Sequence, residues 1–355
     1  MFGFKSLPLM AIFGSTLLRP THSLPYSDWL SEFQATRIVD LPVIPASHNS
    51  GAAELGNNPT WQGDAMWNYA KTQNASIAEQ LGLGIRMLDL RLHVMYDNVD
   101  YVDQIRISHT YDSASTLPEV LDSVKTFLDE NTTEFIILYI RIDSVYPLLG
   151  NETAKHILIE TTLANSGISF ASYSAGDLKA MTVGDLAGKA LLMGIGGDAF
   201  RATDSRYSFV EASTNYSVCD IWELETITAA QAKLSSCFPE VPPSGEITGI
   251  LSGYAIDGQL DGLPPSVGSV KMNDWFFNNF VNNPIWIMRK DYPVGILMID
   301  FVNLDYMATI IDYAMNAEIS INDQSSTINA KQSVNHVHLQ WKILLALLAS
   351  AMAIN

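Results

Sequence analysis

Positive charge is scarce in this chain: 20 Lys plus Arg stand against 38 Asp plus Glu in 355 residues, a formal charge of −18. A chain of that sign has no net basic face for a nucleic-acid backbone, so no nucleic-acid partner is expected, and a phosphate-bearing ligand has to be held by a few local cations. Cysteine is rarer still. Cys219 and Cys237 are the only two, too few thiols for a zinc centre; in an oxidising compartment they would form one disulfide. There is no internal repeat, no low-complexity linker and no recognisable elbow carrying a nucleophilic Ser or Cys. Gly194-Ile-Gly-Gly197 lacks the following Lys-Ser/Thr of a phosphate loop. With 48% apolar and only 16% charged residues, the composition is globular, and the length suits one large α/β barrel or two ordinary domains.

Acidic residues are missing altogether from both ends. Residues 1–23 carry Lys5 ahead of an apolar run from Leu7 to Leu18, then Thr21-His22-Ser23, the pattern of a secretory signal peptide. Residues 326–355 end in the apolar run Ile343 to Ile354, too short to span a bilayer comfortably. With the small residues Ser325, Ser326 and Thr327 upstream and a polar spacer between, this matches a lipid-anchor (GPI) attachment signal. The expected location is therefore secreted or cell-surface. The part between, residues 24–325, is expected to be a single barrel domain with 16 basic against 38 acidic residues, −22. Asn74, Asn131, Asn151 and Asn215 open glycan-acceptor sequons.

Within it, short β-branched runs alternate with helical stretches. Runs at Ile38–Ile44, Ile85–Leu92, Ile105–Ser108, Phe135–Ile140, Ala190–Met193, Ile247–Leu251 and Gly295–Val302 read as strands. Helices are expected at 76–83, 117–128, 154–165, 229–234 and 305–317. The alternation predicts an α/β fold, a TIM-type (β/α) barrel, complete or not, rather than two separate domains. Polar residues fall where strands end: His48, Asp89 and Arg91, His109, Arg141, Asp300. Barrel enzymes gather their chemistry on that face. Strand periodicity puts Asp89, Arg91 and His93 on one side and Leu88, Leu90 and Leu92 on the other. Two histidines, arginines and a carboxylate suit phosphodiester cleavage: one imidazole takes a proton from an attacking hydroxyl, the other returns one to the leaving oxygen, and a guanidinium steadies the phosphoryl charge. Trp61, Trp67 and Trp275-Phe-Phe277 could enter a membrane interface or cap the barrel rim.

His48-Asn-Ser, Gln80-Leu-Gly-Leu-Gly-Ile-Arg-Met-Leu-Asp-Leu-Arg91, the segment around His109, Glu134 to Arg141 and Val294 to Phe301 resemble the X domain of phosphatidylinositol-specific phospholipase C. The resemblance implies a distorted TIM-type (β/α) barrel and a single-X-domain phosphodiesterase giving diacylglycerol and a cyclic inositol phosphate. By it, His48 matches the general base, Asp300 its carboxylate partner, His109 the general acid and Arg91 the phosphorane-stabilising arginine. Asp89 joins the catalytic set, and Arg141 and Asn49 bind substrate. Arg91 and Arg141 stand where calcium-dependent members have carboxylates, which implies no metal and no cofactor. Asn49 stands where metal-free bacterial members carry Asp, a charge that Asp89 would replace if it reached His109. The implied partner is an inositol phospholipid or a glycosylated relative at a membrane surface, met by a monomer. The alternative is a catalytically silent surface protein that binds such ligands.

Overall fold

The computed structural model describes residues 26–57, 68–95, 104–143, 152–172, 180–194, 209–211, 218–220, 226–240, 253–256, 261–281 and 295–316. All belong to one compact unit, Met1–Ile319; a second, Ser320–Asn355, lies outside the described residues, as does the expected signal peptide. Ten strands form one sheet: β1 (Ile44–Ser47), β2 (Met87–Met95), β3 (Gln104–His109), β4 (Tyr111–Thr116), β5 (Ile136–Ile142), β6 (Ala190–Gly194), β7 (Phe209–Glu211), β8 (Val218–Asp220), β9 (Gly253–Ile256) and β10 (Ile296–Ile299). The order is β7-β6-β5-β2-β1-β10-β9-β8, parallel at each step. Parallel neighbours need crossovers. These are supplied by α1 (Ile77–Gly82), α2 (Leu117–Glu130), α3 (Glu152–Asn165), α4 (Val183–Leu186), α5 (Ile227–Glu240) and α6 (Pro265–Phe276), with α7 (Leu304–Asn316) after β10. This is the distorted TIM-type barrel. No pairing joins β7 to β8 among the described residues, so the sheet is not closed there.

Local chemistry explains most elements. Ser76 caps α1 and Thr116 caps α2, each in a reciprocal capping box with the Glu three residues on. Helix α2 buries Leu117, Val120, Leu121, Val124, Phe127 and Leu128, a single helical stripe, against the sheet. Arg86, fully buried at the foot of β2, donates through Nε to Glu134 Oε2 at 2.7 Å and to the carbonyls of Leu81, Ile85, Tyr26 and Ser27. It thereby ties the first described residues to the strand bottoms.

Several expectations shift. The run expected as a strand from Ile38 opens as a 3-10 turn, Ile38–Asp40, and the ladder begins only at Ile44, because Pro42 has no N–H to give it. Ile105–Ser108 is a strand but not a barrel strand: β3 runs antiparallel to β2 and to β4. Ile247–Leu251 lies outside the described residues. Strands β4, β7, β8 and β9 and helices α4 and α6 are additions. Phe276 and Phe277 are buried, Trp275 packs against the core, and Phe277 stacks on Tyr306 at 4.8 Å. Phe276 and Phe277 are thus packing residues and Trp275 is half-buried, while Trp61 and Trp67 lie outside the described residues. Cys219 sits on β8 and Cys237 on α5, with side chains outside the description. Asn74 is exposed, whereas the Asn131 amide closes α2 on the Phe127 carbonyl; Asn151 and Asn215 are not described.

Removing one partner of a buried ion pair strands the other charge. Glu134→Ala, which leaves the Arg86 guanidinium buried and uncompensated, is expected to cost about 3–5 kcal/mol, read as a lower urea midpoint at unchanged m-value.

Candidate active site

Strand β1 delivers His48 directly after Ser47, and its neighbour in the sheet, β10, delivers Asp300 directly after Ile299; the two strands run in register, Ser47 opposite Ile299. His48 Nδ1 therefore meets Asp300 Oδ1 at 2.7 Å, both groups buried. A carboxylate accepts, so Nδ1 carries the proton. On the far side of the ring Arg91 Nη2 stands 3.0 Å from Nε2 and Asn49 Nδ2 also 3.0 Å. A guanidinium only donates, which leaves Nε2 as the acceptor. The tautomer is fixed from both sides, with a lone pair facing the site. Asp300 is held in turn: Ser269 Oγ donates to Oδ2 at 2.6 Å and Asn273 Nδ2 to its backbone carbonyl at 2.8 Å. Both come from the buried stripe of α6.

His109 arrives by a different route from the one the strand count implies. Strand β2 continues past Arg91 to Met95, and β3 folds back along it with Leu92 opposite Ile107. The end of this antiparallel strand therefore returns to the C-terminal face of the barrel. The His109 and His48 rings lie 6.1 Å apart, edge to face. His109 Nδ1 donates to the Ala70 carbonyl at 2.6 Å, so the neutral ring offers Nε2, which lies 3.3 Å from Asn49 Nδ2. One amide thus bridges the two Nε2 atoms. Burial first, then the charges of Arg91 and His48, push the His109 imidazolium down to about 3 from an ordinary 6.5.

Asp89 does not meet the condition under which it would replace the charge absent at Asn49, since it makes no hydrogen bond or ion pair with His109. Its Oδ2 accepts from the Asn49 backbone N–H at 3.1 Å and faces Arg91 Nε at 3.7 Å and His48 Nε2 at 4.0 Å. Burial favours its neutral form, yet Arg91, Arg141, His48 and the Asn49 N–H together hold the carboxyl below the usual range. The carboxylate beside the His109 turn is Asp143, which accepts from the Thr110 N–H at 2.9 Å and from Ser108 Oγ at 3.0 Å. Arg141 stands in register with Arg91 on the adjoining strand. His93 Nδ1 lies 2.8 Å from Asp112 Oδ1, a hydrogen bond between β2 and β4 outside the histidine cluster.

The residue after each of the three central side chains is left-handed: Asn49 follows His48 with φ 44°, Thr110 follows His109 with φ 65°, Phe301 follows Asp300 with φ 50°. Asn tolerates this region, but Thr and Phe sit there at a cost of order 1–3 kcal/mol each. Every one of these strained residues has its N–H fastened: to Asp89, to Asp143 and to the Thr72 carbonyl, respectively. Asp143, Ser269, Asn273 and Thr72 escaped the sequence reading; for Ser269 and Asn273 the available signal was their helical spacing of four.

Calcium takes about six to eight oxygen ligands. Among the described residues Asn49 Oδ1 and Asp89 Oδ1 are buried without a hydrogen bond, and no group of three or more His, Cys, Asp or Glu converges on a metal position. Two oxygens beside two guanidiniums do not fit a divalent cation.

The fold is similar to that of solved phosphatidylinositol-specific phospholipases C. The sequence is 29% identical over 135 residues to PI-PLC X domain-containing protein 1 of Danio rerio, a match taking 32% of this chain and 43% of that protein, so the chain spans under half of that relative's length. Among solved structures, the phosphatidylinositol-specific phospholipase C of Listeria monocytogenes superposes with a TM-score of 0.64 at 20% identity, over 81% of this chain and 97% of that one. A mutant of the Staphylococcus aureus enzyme gives 0.59 at 16%, over 82% and 98%. No family model matches the chain.

A histidine whose folded pKa is depressed binds its proton more readily when unfolded, so stability falls as pH drops below about 6.5 toward 3. In the free protein the His109 C2–H resonance is expected to titrate far below 6.5, and inorganic phosphate, by offsetting the Arg91 charge, is expected to raise its midpoint. A normal midpoint without phosphate contradicts this electrostatic picture.

Proposed function

We infer that the chain cleaves the phosphodiester of phosphatidylinositol-type lipids. The observation that carries this reading is the His48 Nε2 lone pair, fixed by Asp300 and facing Arg91, with a second imidazole one ring-width away. A substrate hydroxyl displaces the Arg91 and Asn49 donors from His48 Nε2 and gives up its proton there. The oxygen attacks phosphorus, and Arg91, with Arg141 beside it, takes the phosphoryl oxygens. The imidazolium formed at His48 is balanced by Asp300. The phosphate anion that enters offsets the Arg91 charge, which after burial is the next cause of the lowered His109 pKa, and so favours a proton on Nε2; from there it passes to the departing diacylglycerol oxygen. Attack by the neighbouring inositol hydroxyl yields diacylglycerol and a cyclic inositol phosphate. Two guanidiniums supply the positive charge, so the cycle needs no metal.

The protein would meet its lipid at a membrane surface as a monomer, with residues 1–23 removed and residues 326–355 exchanged for an anchor. No helix among the described residues is long and apolar enough to cross a membrane. Phosphatidylinositol and its glycosylated relatives share the diester that this chemistry needs.

With phosphatidylinositol vesicles in EDTA, wild-type protein is expected to release diacylglycerol, and His48→Ala to lower the rate by about 10³-fold. Strict calcium dependence would count against the guanidinium site, and His48→Ala at wild-type rate against the mechanism. A wild type that binds inositol lipid without cleaving it would instead reveal a silent binding protein, a possibility that the neutral Asn49 amide keeps alive.

A further inference from the structure

Residues Ala70–Gln73 precede α1 and touch each of the site's three central parts. The Ala70 carbonyl fixes the His109 tautomer. Thr72 Oγ1 donates to the His48 carbonyl at 3.2 Å, and the Thr72 carbonyl holds the left-handed Phe301 N–H at 2.7 Å. Gln73, with no exposed surface, donates both protons of its amide, to the His48 carbonyl at 2.9 Å and the Ile299 carbonyl at 3.0 Å, and accepts the Val302 N–H at 3.1 Å.

We propose that Gln73 is a positioning residue for the His48–Asp300 pair, and that the Ala70–Gln73 strap sets both histidines through one rigid piece of backbone. The β1–β10 backbone ladder stops at the bond from the His48 N–H to the Ile299 carbonyl. Beyond it the chains diverge with His48 and Asp300 still to be held face to face. The Gln73 amide continues the ladder at that point, bonding the carbonyl of His48 itself, the Ile299 carbonyl just before Asp300 and the Val302 N–H two residues beyond it. Two donors and an acceptor at that reach are what a glutamine offers; glutamate lacks the donors and asparagine the length. A displacement of about half an ångström at a strand end carries straight into the imidazole–carboxylate contact.

The activity arm of the test rests on the proposed phosphodiester cleavage; the spectroscopic arm does not. The low-field resonance of the proton between His48 and Asp300, assigned by its loss in His48→Ala, is followed in Gln73→Met. The control is Gln34→Met, which deletes a similar amide donating to the Leu30 and Thr133 carbonyls, both at 3.0 Å, away from the site. Gln73→Met is expected to lose or shift that resonance and to lower kcat by at least about 10-fold with KM changed less than about 3-fold, while Gln34→Met leaves both in place. Retention of the resonance at its wild-type position in Gln73→Met overturns the proposal. Should that variant not fold, the wild type still decides. Its Gln73 side-chain amide protons are expected to move with the same pH midpoint as the His48 C2–H, and a flat response overturns the proposal equally. A wild type that cleaves no diester removes the proposed function but leaves the resonance arm standing.

Discussion

The rest of the structure depends on the hydrogen bond between His48 and Asp300, two groups 252 positions apart that only the meeting of the first and last barrel strands can bring to 2.7 Å. A buried carboxylate is tolerable only when its oxygens are engaged. Here His48 takes one and Ser269 the other, and Asn273 holds the backbone behind them. The barrel supplies position and Asp300 supplies polarity. Arg91, which can only donate, and the Asn49 amide nitrogen turned toward the ring complete the fixing of the tautomer. Loss of register between β1 and β10 would cost the imidazole its orientation and leave a bare charge in the core.

Around that pair the chain carries local strain and local charge that its composition hides. Three left-handed residues follow His48, His109 and Asp300, each fastened through its N–H. Strain at these positions makes sense where side chains must leave a strand end at an unusual angle, and it is offset by acceptors placed for the purpose. An acidic protein likewise concentrates positive charge at one spot: Arg91 and Arg141 lie side by side on β2 and β5, and their field is strong enough to keep Asp89 ionised despite burial. Burial, with that same Arg91 charge added, lowers the His109 pKa to about 3.

Much of this was legible in the sequence because barrel strands announce themselves as β-branched runs and their ends as polar punctuation. His48 and Asp300 follow β1 and β10 directly and Arg141 lies one residue before the end of β5, as read, whereas Asp89 and Arg91 lie inside β2, which runs on to Met95. His109 was placed on the correct face for an incomplete reason: the run Ile105–Ser108 looks the same whether its strand is parallel or folds back, since periodicity carries no direction. Helix α6 stayed hidden because its buried stripe contains Ser269 and Asn273, which dilute the apolar pattern, and because its Trp-Phe-Phe end invited a membrane reading. Asp143 and Gln73 act through backbone N–H and C=O groups of distant residues. No spacing rule encodes such contacts, and only the folded chain brings the partners together.

Phosphorus chemistry gives the most direct view of the central claim. Phosphorus-31 spectra of phosphatidylinositol incubated with the protein in EDTA are predicted to show a five-membered cyclic inositol phosphate as the first water-soluble product, formed before any open-chain monophosphate. An open-chain monophosphate appearing first, or no product at all at full lipid binding, would contradict the account.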